Sequence, residues 1–234
     1  MARLTRHELK KDELGTRLST LMEFLLAQRR NITLGILAGL VAVGLGLGIF
    51  FFVRSRQVRA ADAFAKALST FHAPVTANPP REMPNLVSYK TNEEKYQKAQ
   101  AEFTEVAGQY SSYAAGRRAR YYAAICQREL GKLAEAEEQF KALTQMGDAN
   151  PARPSLAGVY EQTNRSTEAE KIYRELEDNP TSTVPKVTAQ IARADLYRKT
   201  NRSEAASLYE QIEKEHAGSV AGDYASQKLQ QIPR

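Results

Sequence analysis

Residues 32–53 read ITLGILAGLVAVGLGLGIFFFV, 22 consecutive residues without a charge. As a helix rising ~1.5 Å per residue, the run is about 33 Å long, against a bilayer hydrocarbon core of ~30 Å. Fourteen of the 22 are Leu, Ile, Val or Phe and five are Gly. That content favours insertion, since each large apolar residue contributes about −0.3 to −0.6 kcal/mol. Arg29 and Arg30 precede the run, and Arg54 and Arg56 follow it. A cleaved signal peptide has an apolar region of ~7–15 residues leading directly to a small-residue site. Here the run is longer, and two arginines separate it from the small residues of Val58-Arg59-Ala60. The sequence therefore predicts an uncleaved signal anchor over residues 31–53.

Charge orients the anchor. Residues 1–30 carry seven Lys and Arg, and the twenty residues after the run carry four. The excess places the N-terminus inside and residues 54–234 outside. The remainder after the anchor carries 26 basic and 23 acidic side chains. A net charge of this size, with no block of five like charges, gives no reason to expect nucleic-acid binding. Cys126 is the single cysteine, so no internal disulfide can form.

The predicted organisation has four parts. Residues 1–30 form a cytoplasmic amphipathic head, with Thr5 and Glu8 at capping-box spacing and Leu14, Leu18, Leu21, Met22 and Leu25 on one face. That head either lies on the inner leaflet or docks a cytoplasmic partner. Residues 31–53 cross the membrane. Within them Gly35, Gly39, Ala42 and Gly46 fall on one side of a helix, a candidate contact with another membrane helix. Residues 54–91 comprise a juxtamembrane helix to Phe71 and a loop containing Pro74, Pro79, Pro80 and Pro84. Residues 92–234 form a repeat domain.

The repeats appear as small residues each followed, four positions later, by an aromatic: Ala99/Phe103, Ala136/Phe140, Ala169/Tyr173 and Ala205/Tyr209. Successive pairs are 37, 33 and 36 residues apart. A period in the mid-thirties, with no strand-like alternation, indicates stacked helical hairpins. Upstream of each pair lies a first helix with its own small and large residues: Ala124, Leu156 with Ala157 and Tyr160, and Ala194 with Tyr197. Gly131, Asn164 and Asn201 occupy the turns, where a left-handed residue can end a helix. Ser166 and Ser203 are the expected caps of the helices that follow, with Glu168 and Glu204 in their first turns. Ser219 to Ile232 is the expected C-terminal capping helix, with Val220, Ala221, Tyr224 and Ala225 inward.

This order resembles the tetratricopeptide repeat. Leu156, Ala157, Tyr160, Ala169, Tyr173 and Pro180 follow its pattern, whereas Gln127 stands where the first repeat would carry Tyr. The fold class is thus all-α, a single N-terminal transmembrane helix followed by a tetratricopeptide-like hairpin solenoid. The whole arrangement of head, anchor and outward repeats resembles the YfgM-like ancillary Sec-translocon subunits of the bacterial inner membrane. That resemblance implies a periplasmic repeat domain that associates with translocon subunits, periplasmic chaperones or emerging polypeptides. A cell-envelope scaffold or division coordinator built from the same repeats is the alternative.

No catalytic, cofactor or metal site is expected. His7, His72 and His216 are scattered and no Gly-rich phosphate loop is present. Cys126 lies among small helical residues, as a buried thiol does. The candidate binding groove is instead the row of first helices, offering Tyr121, Tyr122, Arg128, Gln162, Arg193 and Arg198 together with Tyr160 and Tyr197. Tyr and Arg are the residues enriched where proteins bind one another. Arg117, Arg118 and Arg120 beside the two tyrosines form a basic-aromatic cluster, either a solvated face over packed rings or a site for acidic peptide.

Overall fold

The computed structural model describes Met22 and residues 29–76, 87–146 and 151–232. The expected head, apart from Met22 and its last two residues, lies outside these, as do most of the proline-rich loop, the short segment 147–150 and the last two residues. Helix α1 spans Arg29–Phe71. Eight more follow: α2 Asn92–Gln109, α3 Ala114–Glu129, α4 Leu133–Thr144, α5 Ala152–Gln162, α6 Ser166–Asp178, α7 Lys186–Thr200, α8 Arg202–Glu215 and α9 Val220–Gln230. Among the described residues the only β pairing is an isolated bridge between Val75 and Tyr89. It brings together the two described ends of the loop, with Thr76 N–H donating to Tyr89 O at 2.9 Å.

The chain divides into two compact units, residues 1–58 and 59–234. In the first, every described side chain from Leu34 to Val53 is exposed, including Phe50, Phe51 and Phe52. A Cβ added at Gly35, Gly39 or Gly46 would meet nothing within 4 Å. These glycines are therefore not required by packing within this chain, and Ala42 beside them is likewise exposed.

The second unit starts earlier than the repeat spacing alone suggests. Ala60 and Ala67 are fully buried in one core with Ala99, Phe103, Val106, Ala119 and Cys126, and Phe64 and Phe71 pack against it. The juxtamembrane stretch, expected as a helix continuing out of the membrane, therefore packs on α2 from Arg59 on. Ala60 and Ala67 with Phe64 and Leu68 form its buried face, while Ala61 is exposed. What this face covers is not legible in the sequence, because the partner is separated by the loop. Tyr122 stacks on Phe103 at 5.1 Å between centroids and meets Phe64 and Phe71 edge-on at 5.5 Å. Such ring pairs contribute ~0.5–1.5 kcal/mol each beyond their area.

Three further cores repeat along the chain. Ala124, Ala136, Phe140, Ala152, Leu156 and Val159 form the next. Ala157, Ala169, Tyr173, Leu176, Val184, Ala189 and Leu196 form the third. Ala194, Ala205, Leu208, Tyr209, Ile212 and Ala225 form the last. Residues one or two positions apart on a helix enter different cores: Leu156 and Ala157 of α5 do so, as do Ala124 and Cys126 of α3. A helix that buries two sides in this way must be flanked by helices on both, which is what makes the fold a stack. Ala99, Ala136, Ala169 and Ala205 are fully buried, and the aromatic four positions on is buried with each of them.

The turns divide into two kinds. Gly131 and Asn164 have φ of +75° and +59°, the left-handed conformation that terminates a helix. In both, the next residue reaches back five positions, Lys132 N–H to Gln127 O at 2.9 Å and Arg165 N–H to Tyr160 O at 2.8 Å. Asn201 departs from expectation. Its φ is −149°, and it closes α7 and opens α8 at once, its side chain accepting from Glu204 N–H. Asn201 is the single residue between these helices, where each of the two earlier turns has three, so there is no room for a left-handed residue before the cap. Ser166 and Ser203 do not cap either. Both lie inside their helices, and Arg165 precedes α6 without a side-chain cap bond. Glu168 and Glu204 are in the first turns as expected. Thr91 is an N-cap that the repeat reading overlooked, accepting from Glu94 N–H at 3.1 Å. Its Thr-x-x-Glu spacing was visible in the sequence.

Ser219 caps α9, whose Ala225 is fully buried and whose Gln227, Gln230 and Gln231 are exposed. Val220 is 88% exposed, against the inward position expected of it. As the first residue of the helix it projects beyond the last core.

Candidate protein-binding face

The first helices of successive hairpins, α3, α5 and α7, form a row, with α3 touching α5 and α7 touching α9. Their exposed side chains are the candidate groove, and the structure sorts them. Arg128 lies half-buried over Gly158, its Nη1 3.7 Å from where a Cβ would stand. It bonds Glu129 at 2.8 Å. Gln162 is exposed and Arg198 half-buried at the ends of α5 and α7.

Carboxylates hold this row together. Glu161 accepts from the Tyr173 hydroxyl at 2.7 Å and from Lys199 Nζ at 2.9 Å, tying α5 to both α6 and α7. Asp195 accepts from Tyr209 at 2.6 Å and from Tyr224 at 2.9 Å. Burial first, and then the hydrogen bond to a carboxylate, pushes the Tyr173 and Tyr209 hydroxyls well above their ordinary range. Both are donors throughout the physiological range. In the last two of the four pairs the core aromatic is thus a Tyr whose hydroxyl reaches through to a carboxylate on a first helix. Phe140 holds that position in the repeat before and has no such bond to make.

Other residues proposed for the groove have structural partners. Tyr122 is in the aromatic core. Tyr160 packs between cores with the Arg165 guanidinium 4.4 Å above its ring. Arg193 lies 3.0 Å from Glu177, both largely buried, in an ion contact that lacks hydrogen-bond alignment. Burial holds the Glu177 carboxyl above its ordinary range despite the nearby arginine. Tyr197 donates to Glu170 at 2.6 Å, and Arg174 bonds the same carboxylate at 2.8 Å. Arg165 pairs with Glu137, which also takes Lys141 at 2.6 Å. These two bonds, Arg165 first, hold Glu137 down at about 2. Sequence placed Arg193, Tyr160 and Tyr197 on the right helices but could not assign their faces, because their partners come from neighbouring hairpins.

Tyr121 remains partly exposed, its hydroxyl 3.0 Å from Ser155 Oγ. With Arg117, Arg118, Met146 and Pro151 it borders a cavity of about 280 Å³ where α3, the end of α4 and the start of α5 meet. Cys126 is fully buried and its thiol is pushed up to about 12, chiefly by burial. A thiol so placed stays protonated at neutral pH and is a packing group. Among the described residues no three of His, Cys, Asp and Glu converge as metal ligands would.

The fold is a stack of helical hairpins like that of the tetratricopeptide repeat. Comparison with known proteins agrees at that level. Residues 92–154, from α2 into α5, match the tetratricopeptide repeat family. Two crystal structures of nearly identical TPR-like repeats from Podosopora anserina superimpose on the chain with a TM-score of 0.50 and 15% sequence identity. They cover 59% of this chain and 78% and 77% of their own. At that identity the likeness concerns the fold. No curated protein sequence matches the chain.

Proposed function

We propose that this protein is a non-catalytic, membrane-anchored adaptor of the YfgM-like kind. In this reading the repeat domain stands on the periplasmic side of a bacterial inner membrane and associates with translocon subunits, chaperones or emerging chains. The observation that carries the reading is the pairing of two features in one helix. From Leu34 to Val53 the described side chains of α1 are exposed and apolar, and from Ala60 the same helix is buried in the first core of the array. An exposed apolar stretch of that length is unfavourable in water and suits a bilayer. Anchoring the binding domain by a helix that it also packs raises its concentration at the membrane surface, where weak contacts suffice.

Two measurements test this. Ser19→Cys and Ser207→Cys are labelled in intact cells with a membrane-impermeant maleimide. Ser207 is exposed on α8, and the buried Cys126 should not react. Reaction at 207 and not at 19 is expected; the converse overturns the topology. Photo-crosslinking from positions 162 and 198, followed by mass spectrometry, should retrieve translocon or chaperone subunits. Recovery of cell-wall or division proteins alone would favour an envelope scaffold instead.

A further inference from the structure

One position of the repeat is filled differently in the hairpin of α3 and α4. Tyr160 stands nine residues before Ala169 and packs against both neighbouring cores. Tyr197 stands eight residues before Ala205, in the hairpin with the shorter turn. The residue nine before Ala136 is Gln127. A second departure falls at the same place. The residue after the core aromatic on the preceding second helix is a cation that meets each tyrosine. Lys141 Nζ lies 5.9 Å over the Tyr160 ring, and Arg174 Nη2 donates to the Tyr197 hydroxyl at 3.2 Å. On α2 the corresponding residue, after Phe103, is Thr104.

Between α2, α3 and α4 these shorter side chains border a recess of about 410 Å³. Thr104, Gln127 and Gln139 line it with polar groups, and Ala107, Ala123 and Ala142 with apolar wall. Gln127 lies ~10 Å along α3 from Arg120, the lining residue that reaches Met146. Gln127 Nε2 donates to Glu135 at 3.3 Å, while its Oε1 is buried without a partner among the described residues. Buried acceptors are ordinarily paired, so a donor that reaches this one gains affinity. Cavities of ~150 Å³ already admit a benzene-sized solute, so an aromatic ring fits. The repeat itself shows which ring, since the equivalent place in the next two hairpins holds a phenol. We infer that the Gln127 end of this recess docks a tyrosine side chain of a partner protein. Its ring takes the place that Tyr160 and Tyr197 hold in the hairpins that follow, and its hydroxyl donates to Gln127 Oε1. The inference rests on the adaptor reading above and names one contact that the partner makes.

The test uses the full chain in detergent micelles and a fluorescent decapeptide of Gly and Ser with one central Tyr, read by anisotropy. Saturable binding is expected. Replacing the Tyr by Ala should weaken it at least about tenfold, and replacing it by Phe should weaken it several-fold. Gln127→Tyr should weaken it at least about tenfold by filling the recess from within. The same variant should raise the melting temperature, because the chain's own ring then packs as Tyr160 does. Gln227→Tyr, the same substitution at an exposed site on α9, should leave binding intact. Equal binding of the Ala or Phe peptide, equal weakening by Gln227→Tyr, or indifference to Gln127→Tyr would overturn the inference. A lower melting temperature for Gln127→Tyr would overturn it too, since the recess would then not be the place of the repeat tyrosine. Peptide failure with crosslinked partners still recovered overturns this assignment alone; failure of both overturns the adaptor reading with it.

Discussion

Tyr173 donates to Glu161 across the hairpin formed by α5 and α6, at 2.7 Å. The ring fills the third core while the hydroxyl fixes a carboxylate on the outward row. One residue therefore couples packing to the charge pattern of the candidate face. Tyr209 and Asp195 repeat the relationship in the next hairpin at 2.6 Å.

Tyr173→Phe should keep the core and strand one oxygen of Glu161, at a cost of about 1.5–3 kcal/mol for a bond to a charged group. Tyr209→Phe should cost less, about 0.5–1.5 kcal/mol, because Tyr224 still reaches the same Asp195 oxygen at 3.2 Å, whereas Lys199 bonds the other oxygen of Glu161. Urea unfolding of fragment 54–234, which contains the whole second unit, measures both. Equal costs would show that Tyr224 does not support Asp195.

Ala169 is fully buried where α6 crosses its neighbours. Ala169→Leu should overpack that crossing by ~1–3 kcal/mol. Lys171→Gln, exposed on the same helix, should stay within about ±0.5 kcal/mol. Identical melting of the two variants would show that the position is not a close crossing.

Two glycines should respond with opposite signs. A Cβ at Gly116 would stand 2.0 Å from the Tyr110 carbonyl oxygen, so Gly116→Ala must displace backbone. A loss of at least ~2 kcal/mol is expected, in the range of overpacked sites. At Gly158 the same methyl would sit 3.7 Å from Arg128 Nη1, an ordinary contact. Gly158→Ala should therefore stabilise α5 by about 0.5–1 kcal/mol through helix propensity. Thermal unfolding of the two variants against the parent decides both signs.

Glu137 supplies a pH signature. Its carboxyl is held at about 2 by Arg165 and then Lys141, below the ordinary 4.5. A depressed carboxylate stabilises fully above its unfolded value and loses that contribution as pH falls through its folded value. The melting temperature of the parent should thus exceed that of Glu137→Gln near neutrality. The gap should close as pH falls from 4.5 toward 2. A gap independent of pH would assign the loss to packing rather than to the ion pairs.

How much of this was readable before folding varied with the range of the interaction. The helical repeat was legible because Ala99/Phe103, Ala136/Phe140, Ala169/Tyr173 and Ala205/Tyr209 recur at a fixed spacing along one helix, and i, i+4 proximity is a local property. Gly131 and Asn164 were legible as left-handed turn residues for the same reason. The 22-residue apolar run needs only its length to define a candidate span. Asn201 was misread as left-handed because the shorter turn changes which end of which helix it serves.

The sequence by itself determined the repeat period, the close-packed small residues, the core aromatics and the exposed apolar stretch, since each follows from local periodicity or bulk hydrophobicity. Tertiary structure decided everything that depends on a partner from another hairpin. It assigned residues 59–71 to the first core, and it turned Arg193 toward Glu177 and Tyr197 toward Glu170. It separated Tyr122, stacked on Phe103, from its neighbour Tyr121 on the cavity wall. At ~100° per residue, adjacent side chains on a helix point in different directions. Which direction meets a core and which meets solvent is fixed only when the next hairpin is stacked against it.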